Sequence, residues 1–110
     1  MGKLIDSAVA HFSDREIRKM EIPQWGTTIY SKNLTLDDKA RWLARADGDG
    51  TDYMIYAVIL GTTDEKGEPV FTLEDKVSLR KKVDPDIVSD IANFVLNIDG
   101  KTEDEREKNS

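Results

Sequence analysis

The sequence predicts an α+β domain, mostly helical, with a small N-terminal antiparallel β-hairpin and about four helices. Three observations predict it. Apolar residues recur at helical spacing near both ends: Leu4, Ile5, Ala8, Val9 and Phe12 at one, Ile87, Val88, Ile91, Phe94, Val95 and Ile98 at the other. Helix-start signals stand at Thr35, Thr72 and Asp84-Pro85, where a side-chain acceptor or a pre-set proline φ suits the first turn. Two short segments of strand composition flank Pro23-Gln24-Trp25-Gly26, a turn built from a proline and a glycine.

Each element can be justified in order. The first stripe predicts a helix over 3–12, broken by Ser13-Asp14. Residues 15–22 read as a half-buried strand with Met20 and Ile22 on one face, because strand side chains alternate. Residues 27–32, with β-branched and aromatic members, read as its partner. Thr35 caps a helix that carries Asp37 and Asp38 in its first turn, where carboxylates favour the helix dipole. Leu36, Ala40 and Leu43 share one face of it, and it ends near Ala46. The run Asp47-Gly48-Asp49-Gly50-Thr51-Asp52 reads as a turn between elements. Tyr53 to Leu60 carries no charge; its periodicity leaves strand and helix both open, with Ile55, Val58 and Ile59 leaning towards strand, and Gly61 ends it. Residues 64–69 form a polar loop, and Thr72 opens a helix to Lys82. Pro85 opens the last helix, with Gly100 at its left-handed stop. Residues 1–100 make one domain; 101–110 lack any large apolar side chain and are expected to be a disordered, charged tail.

Composition excludes several functions. The chain has 110 residues and no cysteine, which leaves no disulfide scaffold, thiolate metal site or cysteine nucleophile. No apolar run approaches the ~20 residues of a membrane span, and the opening residues lack the apolar core of a signal peptide. A soluble cytoplasmic protein without membrane contact is expected. The formal charge is −6, and it is local: residues 1–36 carry +1, 37–75 carry −6 and 76–110 carry −1. This argues against nucleic-acid binding, which needs a basic stripe to displace counterions. Arg80-Lys81-Lys82 at a helix end complements the helix dipole instead.

Motifs for catalysis are missing. A calcium loop starting at Asp47 would want glycine sixth and glutamate twelfth, and finds Asp52 and Val58. His11 is the single histidine, with no nucleophile elbow elsewhere, and reads as a surface or boundary residue. The glycines form no phosphate-binding fingerprint. Asn33-Leu34-Thr35 matches a glycosylation sequon, but Thr35 serves as a cap, and Met1-Gly2 lacks the Ser or Thr that myristoylation wants at position 6. No enzyme activity, cofactor or metal is expected; the domain is expected to act by binding. Trp25 and Trp42 are the residue type favoured at interfaces, with packing of the hairpin on the helices as the competing role.

The segment Glu21-Ile22-Pro23-Gln24-Trp25-Gly26, then Thr27-Thr28-Ile29-Tyr30, resembles the start of a phage tail assembly chaperone. Asn33-Leu34-Thr35, the apolar Ala57-Val58-Ile59-Leu60, the loop Asp64-Glu65-Lys66-Gly67-Glu68-Pro69-Val70-Phe71, then Leu73, Asp75, Leu79 and a closing helix extend that resemblance over about residues 15–99. The resemblance implies a non-enzymatic, mainly helical protein of the bacterial host cytoplasm that serves assembly of long non-contractile tails. Its implied partners are the tape measure protein and the major tail tube protein. It also implies self-association into oligomers, absence from the finished virion, and often a longer form made by frameshifting, for which the Lys108-Asn109 region leaves room. On this basis Tyr53 to Leu60 is assigned as helix. Trp25, Trp42, Tyr53, Tyr56 and Phe71 become candidates for the surface that binds the partner or neighbouring copies. The other reading is an acidic adaptor or inhibitor that binds a basic partner through residues 37–75.

Overall fold

The computed structural model describes residues 2–15 and 17–97. Their order is α1 (Lys3–Ser13), β1 (Arg18–Ile22), β2 (Thr27–Ser31), α2 (Leu36–Ala46), α3 (Gly50–Gly61), β3 (Thr62–Thr63), α4 (Lys76–Lys81) and α5 (Pro85–Leu96). Short 3-10 turns stand at Pro23–Trp25 and Leu73–Asp75. The class is α+β and mostly helical, as the sequence predicts, with five helices rather than about four and a third strand beside the hairpin.

The hairpin is antiparallel, with Met20 opposite Ile29 and Ile22 opposite Thr27. Gly26 closes its turn at φ 62°, the left-handed region that costs glycine least. Ile22 and Ile29 are buried on the inner face. β3 pairs with the other edge of β2, placing Thr63 opposite Tyr30 and Thr62 opposite Ser31. Two threonines after a helix give too short a pattern for sequence to read as a strand.

α2 begins with a reciprocal cap. Thr35 Oγ1 accepts from the Asp38 N–H at 3.1 Å, and Asp38 Oδ2 accepts from the Thr35 N–H at 3.1 Å. Residues 47–52 are not one turn. Asp47 closes α2 at φ 49°, while Asp49 caps α3 by accepting from the Asp52 N–H at 3.0 Å. Gly50, Thr51 and Asp52 are therefore the first turn of α3. With that turn added the apolar run becomes a 12-residue helix, which settles the strand-or-helix ambiguity. α3 buries Ile55, Ala57, Val58 and Ile59 and packs against α2, α4 and α5. A helix apolar nearly all round belongs at the centre of its domain.

Gly61 makes the central crossing possible. A Cβ there would stand 3.2 Å from Trp42 Cη2 on α2 and would collide with Val95 Cγ1 on α5. α5 starts as expected, with Asp84 Oδ1 accepting from the Asp86 N–H at 2.9 Å and Pro85 at the first position. Its end is a correction: Asn97, at φ 58°, takes the left-handed cap. Asparagine tolerates that conformation, so the stop comes before Gly100. Ile98, Gly100 and the expected tail over 101–110 lie outside the described residues.

Candidate functional site

The five candidate aromatics do not form one surface. Trp42 is 3 % exposed and sits in the core between α2, α3 and α5. Tyr53, Tyr56 and Phe71 are half-buried and packed against that core. Trp25 stands apart on the hairpin turn and is 36 % exposed. Tyr56 is engaged within the fold. Its hydroxyl accepts from Lys76 Nζ at 3.2 Å, and Lys76 and Arg45 lie 5.0 and 5.9 Å from its ring centroid, within cation–π range. Of the five, Trp25 is the most exposed.

The larger exposed apolar surface is aliphatic and helical. α1 forms as the stripe predicts, yet none of its residues is buried: Leu4 is 85 % exposed, and Ile5 and Val9 are also exposed. No other described element packs extensively along it. On α2 the face carrying Leu36, Ala40 and Leu43 also points to solvent, with Leu36 87 % exposed. The inner face of α2 is Asp38, Trp42 and Ala46. The tryptophan, with the largest apolar area on the helix, sets which face turns inward. A third group, Val70, Leu73 and Val77, is exposed along the approach to α4. These stripes are visible in the sequence. Which of them stays uncovered is not, because periodicity marks an apolar face without naming what covers it.

The acidic excess over 37–75 is partly neutralised by cations, several of them from outside it. Asp37 and Asp38 both pair with Arg41, and Lys32 Nζ lies 3.8 Å from Asp38 Oδ1. At the start of α3, Asp52 pairs with Lys76 at 3.1 Å and with Arg80 at 2.6 Å, and Asp49 stands 3.8 Å from Arg80. These contacts bind α4 to the N-terminus of α3. Burial opposes ionisation of Asp38, but the Thr35 N–H, Lys32, the Thr35 hydroxyl and Arg41 outweigh it and lower its pKa. The Asp52 N–H, assisted by Arg80, lowers that of Asp49. Hydrogen bonds to the Tyr56 hydroxyl and the Asp52 carboxylate raise that of Lys76. Arg80 is thus an ion-pair partner of α3 as well as a cation at the end of α4.

Among the described residues, no group of three or more histidine, cysteine, aspartate or glutamate side chains has the geometry of a metal site, and no helix is long and apolar enough to cross a membrane. Asp47 and Asp49 act as helix caps, and His11 is exposed on α1. The arrangement offers apolar helical faces for binding, set among charged side chains.

No protein-family model matches the chain, and no curated protein matches it in sequence. Its fold matches a solved structure, that of the bacteriophage HK97 tail assembly chaperone, with a TM-score of 0.57. The match covers 84 % of this chain and 94 % of that one at 15 % sequence identity. At that identity the likeness is one of fold.

Proposed function

We propose that this chain is a tail assembly chaperone of a long-tailed, non-contractile phage or prophage, and that it binds the tape measure protein and helps recruit tail-tube subunits. The observation that carries the reading is the fold shared with the HK97 chaperone across nearly all of that protein. The uncovered apolar stripe of α1 supports the finer part. A long helical tape measure exposes apolar faces until the tube encloses it. A protein that escorts it needs open apolar faces of matching kind, as in helix-to-helix recognition. It also needs a charged exterior to stay in solution, and this chain is 35 % charged. In this reading it acts in the host cytoplasm without catalysis or cofactor, self-associates through the same faces, and leaves before the virion is complete. The ion pairing of Asp38, Asp49 and Asp52 within the fold weighs against the acidic adaptor.

Co-expression tests the proposal. The DNA beside the gene is sequenced, the full chain is produced with the product of any long helical open reading frame found there, and soluble complex is recovered by affinity capture. Wild type should keep that protein soluble and co-purify with it at both low and high salt. A variant with Leu4→Gln, Ile5→Gln and Val9→Gln should lose capture while its thermal midpoint stays unchanged. A genome with no such frame nearby, or capture that collapses as salt rises, would sink the chaperone reading in favour of the adaptor.

A further inference from the structure

Where α5 ends, a cavity of about 70 Å³ is lined by three cationic residues, Arg15, Arg18 and Lys39, with Leu34, Val95, Leu96 and Asn97 completing the wall. The three cations come from different parts of the chain: the segment after α1, strand β1 and helix α2. The helix dipole accounts for one of them. Arg18 Nη1 donates to the Phe94 carbonyl at 2.6 Å, and Nη2 to the Val95 carbonyl and to Ser31 Oγ at 3.3 Å. Arg18 thereby covers the carbonyls at the negative end of α5. Among the described residues its buried Nε has no partner.

Arg15 and Lys39 are left without such a role. Lys32, Arg41, Lys76 and Arg80 all sit within ion-pair distance of carboxylates, whereas Arg15, Arg18 and Lys39 pair with none among the described residues. The cost registers on Arg18, whose pKa is lowered by burial and by the charge of Arg15. An anion between the three would turn that repulsion into attraction. At about 70 Å³, several times the roughly 10–15 Å³ that one water needs on the same measure, the cavity has room for a carboxylate.

We propose that this cavity binds the side-chain carboxylate of an acidic peptide segment. The nearest source is the chain itself. Asn97 lines the cavity, and the residues after it include Asp99, Glu103, Asp104, Glu105 and Glu107. A tethered carboxylate has an effective concentration in the millimolar range. The other source is an acidic segment of a second protein. The site does not depend on the chaperone reading.

Nuclear magnetic resonance on the full 15N-labelled chain at low salt tests it, following the Nε–Hε signals of Arg15 and Arg18 and the Lys39 amide. The probe is a capped tetraglutamate peptide. The tail variant carries Asp99→Asn, Glu103→Gln, Asp104→Asn, Glu105→Gln and Glu107→Gln. If the tail is the source, this variant shifts the arginine signals without peptide and binds peptide at least ~10-fold more tightly than wild type. If a second protein is the source, the tail variant leaves the signals in place and wild type itself binds the peptide. In either case Arg15→Gln with Lys39→Gln abolishes the response, and Lys39→Gln alone weakens it should the pair fail to fold. The proposal is overturned if neither tail variant nor peptide moves these signals, or if the response survives without Arg15 and Lys39. It is equally overturned if Glu16→Gln alone moves the arginine signals as far as any arm, since Glu16 would then be their partner.

Discussion

The guanidinium of Arg18 on β1 donates to the carbonyl of Phe94 on α5 at 2.6 Å, tying the first strand to the last turn of the last helix across 76 positions of chain. Arg18 also lies 5.0 Å from the Phe94 ring centroid. Hydrogen bonds from a charged donor contribute about 1.5–3 kcal/mol, reduced here by the cost of burying the cation. Arg18→Met keeps the apolar stem and leaves the carbonyls unpaired. It should lower stability by about 1–3 kcal/mol in urea unfolding at an unchanged slope. An unchanged midpoint would mean that the tie contributes nothing net.

Gly61→Ala should destabilise by about 1–3 kcal/mol, because the added methyl meets Val95 and Trp42 in a packed crossing. Val95→Ala removes the closest obstacle. The double variant should therefore cost less than the sum of the two single ones, a coupling that a double-mutant cycle reads directly. Strict additivity would show that the helices shift to accommodate the methyl.

Acid should unfold this domain through its caps. Asp38 and Asp49 have folded pKa values below the ordinary 3.8. Their contribution is complete above the unfolded value and disappears as pH falls through the folded one, so stability should decline below about pH 4. Asp38→Asn should make that decline shallower and lower stability at neutral pH by about 1 kcal/mol. Lys76 has the opposite sign. Its pKa is raised from 10.5, so its contribution is present below that value and fades as pH rises through the higher folded one. Lys76→Met should flatten the alkaline limb; pH-dependent thermal melts measure both.

The two tryptophans should separate cleanly. Trp42→Ala empties a core position and should cost about 3–5 kcal/mol. Trp25→Ala, on the hairpin turn and partly covered, should cost less, about 1–2 kcal/mol, and also weaken association. Fluorescence of the remaining tryptophan reports each unfolding curve, and analytical ultracentrifugation reports the association. A large stability loss in Trp25→Ala would place that ring among the packing residues.

Much of the fold is legible because its signals are local. Thr35 and Asp38 cap α2 with groups three residues apart, and Asp84-Pro85 opens α5 with an acceptor and a fixed φ. Pro23 and Gly26 shape the hairpin turn in the same way. The errors fall where two local readings compete. Gly50-Thr51-Asp52 has turn composition, but the Asp49 cap recruits it into α3. Asn97 reaches the left-handed stop before Gly100. The pairing of Thr62 and Thr63 with β2 rests on residues about thirty positions away, which no local pattern reveals.

The candidate site divides along the same line. By itself the sequence determined that α1 and α2 carry apolar stripes, that the acidic charge concentrates in the middle third, and that the class is mostly helical α+β, since each follows from spacing or composition. Tertiary structure alone decided that Trp42 is buried while Leu4 and Leu36 are open, that Arg80 reaches Asp52, and that Arg15, Arg18 and Lys39 converge at the end of α5. The physical reason is that exposure and charge pairing are properties of two surfaces meeting, and a single chain segment specifies only one of them.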